Sequence, residues 1–268
     1  MGRYLPEQFG KRVRRRIENW RTVRRIMLEL DRPTDFNKTD LIHLISKRLK
    51  LRNYLELCTT GSGHRYREII RTRFRTARRL MYVCPSDFDD GLPIDYKIAD
   101  FDIEHAITEL KLGADKVDIC LVDGFHTYDC TTRDLTYAYE ILADGGVLVV
   151  HDCSPTNEAL ASPTFVPGQW CGVAYRGYLD FVLTRDDFDY CTVDVDFGCG
   201  IILKNRSMDL VGPVEPKVIA EWFDVHNDDQ LAFRFFSKNR AKLLRLISGK
   251  KFVRSFNPSV VHPIGAKV

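Results

Sequence analysis

The chain has 268 residues, room for one large α/β domain with extensions, and two complete domains would be cramped in it. A hydrophobic share of 44% describes a globular protein, no apolar run approaches the roughly 20 residues of a membrane helix, and a formal charge of +3 is too small to argue for specific nucleic-acid binding. Eight cysteines without a CxxC pair, several within apolar runs, argue against a zinc ribbon or a disulfide framework and for a reducing, cytoplasmic setting with no signal peptide.

Residues 9–32 read as a basic amphipathic helix. Val13, Ile17, Trp20, Val23, Met27 and Leu30 form one stripe, and Arg12, Arg14, Arg15, Arg16, Arg21, Arg24 and Arg25 occupy the other faces. Such a helix packs on the domain or a second subunit, giving a homodimer, or it docks an acidic surface such as a membrane interface. A second helix is expected over 38–49 and a first strand over 54–57. The strand runs into Glu56-Leu57-Cys58-Thr59-Thr60-Gly61-Ser62-Gly63, a glycine loop opening a basic helix at 64–74. Further strands are expected at 80–83, ending in Cys84-Pro85, and at 94–98, followed by Asp100 and a helix over 103–112.

The most informative stretch is 116–157. Two apolar runs, 117–122 and 147–150, are each followed at once by acid and imidazole side chains: Asp123 with His126, then His151 with Asp152. Between them lies a helical segment with Thr127 and Asp129 as capping candidates, expected to stop at Gly145-Gly146. Neither run alternates, which suits a parallel sheet covered on both faces, and ligands of such sheets bind outside the carboxyl ends of the strands. The acids and histidines therefore fall where an active site belongs.

Asp123-Gly124-Phe125-His126-Thr127-Tyr128 and Gly145-Gly146-Val147-Leu148-Val149-Val150-His151-Asp152-Cys153-Ser154-Pro155 resemble the DGxHxY and GGxxxxHDCxP segments of a bacterial group within the class I S-adenosylmethionine-dependent methyltransferases. The resemblance implies a Rossmann-like α/β fold with a mostly parallel seven-stranded sheet over 37–207, a helical extension at 1–36, and a linker with a helical cap at 208–268. It also implies S-adenosylmethionine at Glu56, Cys58, Thr59, Thr60, Gly61, Gly63, Cys84, Asp100 and Asp123. Cys58 stands where most relatives have a glycine, and Cys84 where they commonly have the acid that binds the ribose. His126 resembles a general base, with Asp123, His151 and Asp152 completing the catalytic group. Asp123 and Asp152 resemble metal-binding carboxylates, which makes Mg²⁺ an optional cofactor, and Cys153 takes the third ligand position.

The implied reaction is O-methylation of a sugar, glycan or polar metabolite hydroxyl, with His126, Tyr128 and Trp170 near the acceptor. The alternative is a methyltransferase-like scaffold whose cofactor site has been repurposed. Residues 156–168 read as a substrate-covering loop, and 170–176 resemble a WxGDVWK segment of the same group. Two closing strands are expected within 192–203, turning at Phe197-Gly198, with Asp194 or Asp196 facing the pocket. Helical periodicity returns at 218–223 and 231–247, and the residues after Ser248 are expected to be loosely ordered.

Overall fold

The computed structural model describes residues 36–59, 73–83, 94–99, 102–113 and 117–264. The helix expected at 9–32, most of that at 64–74, and Thr60, Gly61, Gly63, Cys84 and Asp100 lie outside the described residues.

Helix α1 (Lys38–Leu49) opens with a capping box: the Asn37 side chain accepts from the Thr39 and Asp40 backbones, and Asp40 returns a bond to the Asn37 backbone. Its Leu41, Ile42, Leu44 and Ile45 are buried against the sheet. Strands β1 (Asn53–Cys58), β2 (Thr76–Tyr82) and β3 (Tyr96–Ile98) run parallel, with helix α2 (Ile103–Glu109) next in the chain. Strand β4 (Val117–Asp123), helix α3 (Tyr128–Ile141) and strand β5 (Leu142–Val150) form the expected βαβ unit. Thr127 caps α3 through a bond from the Cys130 backbone.

The glycine pair does not stop α3, which ends at Ile141; Gly145 and Gly146 lie within β5 instead. They serve a bulge there, where the β4–β5 register slips between Val117 and Ile119 and Gly145 takes φ +70°. Helix α4 (Ala174–Leu183) follows the loop after β5 and was not foreseen. Strands β6 (Phe188–Asp194) and β7 (Cys199–Lys204) close the sheet as an antiparallel hairpin, β7 lying between β5 and β6.

The sheet order is β3-β2-β1-β4-β5-β7-β6-β9, the last being an added edge strand (Leu246–Ser248) parallel to β6. This is a Rossmann-like α/β fold with eight strands rather than seven. The chain reverses direction across the sheet between β1 and β4, so a crevice opens outside their carboxyl ends. On one face Leu55, Leu57, Cys120, Val122, Leu148 and Val150 pack under α2 to α4 and under α5 (Pro216–Val225) and α6 (Asp229–Leu243). On the other face α1 packs with α7 (Gly249–Ser255) over Ile119, Leu121, Val147 and Val149.

Residues 249–264 are not loose. Phe252, Val253 and Phe256 of this tail are buried in the core, and β10 (Val261–Pro263) pairs with β8 (Arg206–Met208). The burial of these three apolar side chains and the β8–β10 pairing act against the entropy cost of ordering the segment. Among the described residues no helix is long and apolar enough to cross a membrane, and the seven described cysteines are all free and buried.

Candidate active site

Three strand ends and one helix start converge beside the β1/β4 switch point. β4 delivers Asp123 and, on the loop behind it, His126; β5 delivers His151 and Asp152; the β6–β7 turn delivers Asp196; α1 contributes Lys38. Asp123 is the register partner of Cys58, so the cluster stands next to the end of β1 and Thr59.

The backbone that builds this site is unusual. Asp152 adopts φ 57°, a left-handed conformation that Asp tolerates better than most residues, and Asp196 and Phe197 adopt 49° and 58°. The loop after β5 is laced to the β6–β7 turn, with the Cys153 and Ser154 amides donating to the carbonyls of Gly198 and Phe197 at 3.0 and 2.8 Å. A side chain at Gly198 has no room, because its Cβ would fall 2.2 Å from Ser154 Cβ. The His126 loop is pinned similarly. Val173 N–H donates to the His126 carbonyl at 2.9 Å, and a Cβ on Gly172 would fall 2.1 Å from that oxygen.

His126 Nδ1–H donates to the Trp170 carbonyl at 2.8 Å, which fixes the ring and leaves Nε2 facing inward. Nε2 stands 3.1 Å from Asp152 Oδ2 and 3.6 Å from Asp123 Oδ1, yet it is buried without a hydrogen-bond alignment to either. His151 Nδ1 lies 3.1 Å from Asp123 Oδ1 and 3.1 Å from Asp152 Oδ2, and its Nε2 lies 3.3 Å from Asp196 Oδ2. Lys38 Nζ donates to Asp123 Oδ2 at 2.6 Å and approaches His151 Nδ1 at 3.4 Å, while the Lys38 amide donates to Asp196 Oδ2 at 3.0 Å.

Opposite charges govern the protonation here. Burial works against the charged form of Asp123, but Lys38 and the histidines outweigh it and hold the carboxyl well below its usual range. Asp196 is likewise disfavoured by burial and carried down to about 2 by His151 and Lys38. Burial lowers both imidazoles, and the aspartates more than reverse this, leaving His126 and His151 above the ordinary histidine value. The Lys38 ammonium is raised in the same way, the carboxylates of Asp123 and Asp196 overcoming burial.

Asp123, His126 and Asp152 present ligand atoms within 4.8 Å of one another. Ligands about 2.1 Å from an ion stand about 3.0–3.5 Å apart; the 3.1 Å between His126 Nε2 and Asp152 Oδ2 lies in that range, and the 3.6 Å to Asp123 Oδ1 is slightly wide of it, so a small divalent cation would draw Asp123 inward. The orphaned Nε2 fits as well. A nitrogen in the set suits Mn²⁺, Zn²⁺ or a similar ion better than Mg²⁺, which prefers oxygen alone. Cys153 does not join: its buried thiol donates to the Val150 carbonyl at 3.2 Å, and burial raises its pKa well above the usual thiol range. His126 would take the third place instead.

The other expected residues fall as follows. Trp170 tilts over the His126 ring at 5.5 Å, and its indole N–H donates to Ser162 of the loop after β5 at 2.7 Å. The Tyr128 hydroxyl is engaged elsewhere, donating to Asp180 on α4 at 2.9 Å. Glu56 is buried against Arg79, 3.5 Å away, and accepts from the Tyr54 hydroxyl at 2.7 Å. The Cys58 thiol is buried, and burial with the neighbouring Glu56 raises it well above the usual range. Of the two acids in the hairpin turn, Asp196 reaches the cluster and Asp194 pairs with Arg240.

Sequence reasoning missed Lys38. The available signal was a lysine at the first position of a capped helix just before β1, which brings that helix start to the carboxyl edge.

Residues 47–153 match the family model described as a methyltransferase domain. No curated protein sequence matches the chain. Among solved structures, similarity extends to a methyltransferase of Podospora anserina bound to S-adenosylhomocysteine, at 17% identity over 76% of this chain and 99% of that one, TM-score 0.44. It extends also to the O-methyltransferase TomG of Streptomyces achromogenes, at 18% identity over 70% and 89%, TM-score 0.45. An O-methyltransferase of Bacillus cereus is similar at 13% identity over 70% and 91%, TM-score 0.45.

Proposed function

We propose that the chain is an S-adenosylmethionine-dependent O-methyltransferase acting on a hydroxyl of a sugar, a glycan or a polar secondary metabolite, with His126 as general base. The observation that carries this reading is the convergence of His126, His151, Asp123, Asp152 and Asp196 beside the β1/β4 switch point of a methyltransferase domain. The acceptor class rests on the likeness of the DGxHxY and HDCxP segments.

When bound, S-adenosylmethionine supplies a methyl group whose transfer leaves the bonding electron pair on sulfur. The residues of the chain provide the rest. A sugar hydroxyl is a poor nucleophile near neutral pH and must lose its proton as it attacks. His126 Nε2 takes that proton, because Nδ1 is committed to the Trp170 carbonyl. Asp152 and Asp123 stabilise the resulting imidazolium, and the Trp170 indole beside it offers a flat face to a ring-shaped acceptor. Asp123, Asp152 and His126 would hold a divalent ion where one is taken up, lowering the pKa of the acceptor hydroxyl. One nitrogen cannot hold an ion and accept a proton at once, so in the base assignment the wild-type site works without metal.

The test is calorimetric titration of the full chain with S-adenosylhomocysteine. Saturable one-site binding is expected, and no binding at millimolar ligand overturns the reading. A raised His126 is unprotonated only above its own pKa, so kcat/KM should climb with pH at values above about 6.5. A profile flat from pH 6 to 9 removes His126 as the base.

A further inference from the structure

We propose that Lys38 is the tethered cation of this site, a positioning residue that occupies Asp123 and keeps divalent metal from binding tightly. The inference rests on the methyl-transfer reading for its purpose, though its geometry stands independently. Lys38 Nζ lies 2.6 Å from Asp123 Oδ2, while Oδ1 of the same carboxylate is the oxygen 3.6 Å from His126 Nε2, on the side of the candidate ion position. The ammonium also lies 3.4 Å from His151 Nδ1, which itself is 3.1 Å from Asp123 Oδ1 and from Asp152 Oδ2. A fixed positive charge thus stands within two contacts of every ligand atom.

The ammonium has little freedom to leave. Its side chain is 17% exposed, and Lys38 is the first residue of α1, with its own amide held by Asp196 at 3.0 Å. Leu41, Ile42, Leu44 and Ile45 anchor the helix in the core, so the backbone cannot retreat without exposing them. Swinging the side chain out would strand the buried carboxylate of Asp123. A divalent ion entering the cluster must either displace Lys38 or accept repulsion from it at short range in a poorly solvated place. The lysine therefore supplies the counter-charge that metal supplies elsewhere, and His126 Nε2 stays free for a proton.

The experiment measures Mn²⁺ binding by electron paramagnetic resonance on the full chain as wild type, Lys38→Met and Lys38→Arg. Each sample is also titrated with S-adenosylhomocysteine and checked for folding by circular dichroism. Removing the charge should tighten Mn²⁺ binding by about tenfold or more, while Lys38→Arg, which keeps it, should bind as weakly as wild type. Equal or weaker Mn²⁺ binding by a folded Lys38→Met overturns the proposal, as does no Mn²⁺ binding by any of the three. Loss of Lys38→Met to misfolding leaves Lys38→Gln as the second neutral variant, read by the same criteria. S-adenosylhomocysteine binding separates the two readings: if it persists while the metal prediction fails, the methyltransferase stands and only the role of Lys38 falls.

Discussion

Two carboxyl groups eleven residues apart in the chain, those of Asp123 and Asp134, behave in opposite ways. Asp123, with Asp152 and Asp196, is surrounded by Lys38, His126 and His151. Asp134 on α3 lies beneath the same loop, bonded by the Tyr82 hydroxyl and, at 3.5 Å, by the Cys130 thiol. Both carboxyl groups are largely removed from water, Asp134 completely and Asp123 with 11% of its side chain exposed. Asp123 is nevertheless driven well below its usual range, whereas burial pushes Asp134 up to about 7, the Tyr82 bond and Arg133 only partly opposing it. Counter-charge overcomes burial at Asp123, and burial prevails at Asp134. The side chains kept charged stand at the strand edge, and the protonated one lies beneath them, against Gly124.

The largest effect should come from breaking the charged group. His126→Ala should lower turnover by about 10²–10⁴-fold, the usual worth of a general base. Asp134→Asn keeps the shape and the Tyr82 contact and should change turnover by less than about threefold. The assay is S-adenosylhomocysteine release against a panel of glycosides and polar alcohols. Near-normal turnover in His126→Ala would end the base assignment.

Stability against pH sharpens the same contrast. Asp134 holds a proton in the folded chain up to about pH 7, while in the unfolded chain it releases one near 3.9. The native state therefore binds more protons between these values, and stability falls as pH rises from about 4 to about 7, by up to roughly 4 kcal/mol. Asp196 acts in the opposite sense: its contribution is present above about pH 4 and is lost as pH falls toward about 2. The paired histidines contribute most below about pH 6.5 and lose it as pH rises through their raised values. Urea midpoints of Asp134→Asn should lose the slope between pH 4 and 6 and keep the acid limb. An unchanged slope would mean that Asp134 is ionised in the fold.

Much of this was legible in the sequence because β4, α3 and β5 are local. An apolar run followed by acid and histidine places those side chains at a carboxyl edge without any knowledge of distant partners, and the structure does bring Asp123, His126, His151 and Asp152 together. What was illegible depends on contacts across the sheet. Lys38 reaches Asp123 from 85 positions away. Choosing Asp196 over Asp194 required the handedness of a turn at φ 49° and 58°. The role of Gly145-Gly146 was misread because a glycine pair ends a helix or bulges a strand equally well, and only the β4 register distinguishes them. Helix α4 hid behind the segment likeness, although Tyr175, Tyr178, Leu179 and Val182 carry its buried face.

A smaller effect is expected where the backbone rather than the charge is altered. Gly172→Ala places a methyl against the His126 carbonyl at a left-handed φ of 57°, so the loop must move. A loss of about 2–3 kcal/mol is expected, with turnover reduced through the displaced imidazole. Thermal melts would read the first and the substrate panel the second. Unchanged values for both would mean that the loop after β5 does not position His126.

The smallest effect tests whether a short ion pair matters when it is wet. Arg240 Nη2 donates to Asp194 at 2.7 Å, almost the separation of Lys38 and Asp123, and its Nε donates to Ser154 at 2.6 Å. The Asp194 side chain is 47% exposed, against 11% for Asp123. Water screens the first pair, so Arg240→Ala should cost less than about 1 kcal/mol, most of it from the Ser154 bond, and the pair's share should shrink in salt. Lys38→Met removes a cation at the same range from a carboxylate that is only 11% exposed, and its loss should be larger and less sensitive to salt. Equal, salt-dependent losses in the two variants would mean that Asp123 is solvated after all, and the charged cluster would then owe its protonation to solvent rather than to Lys38.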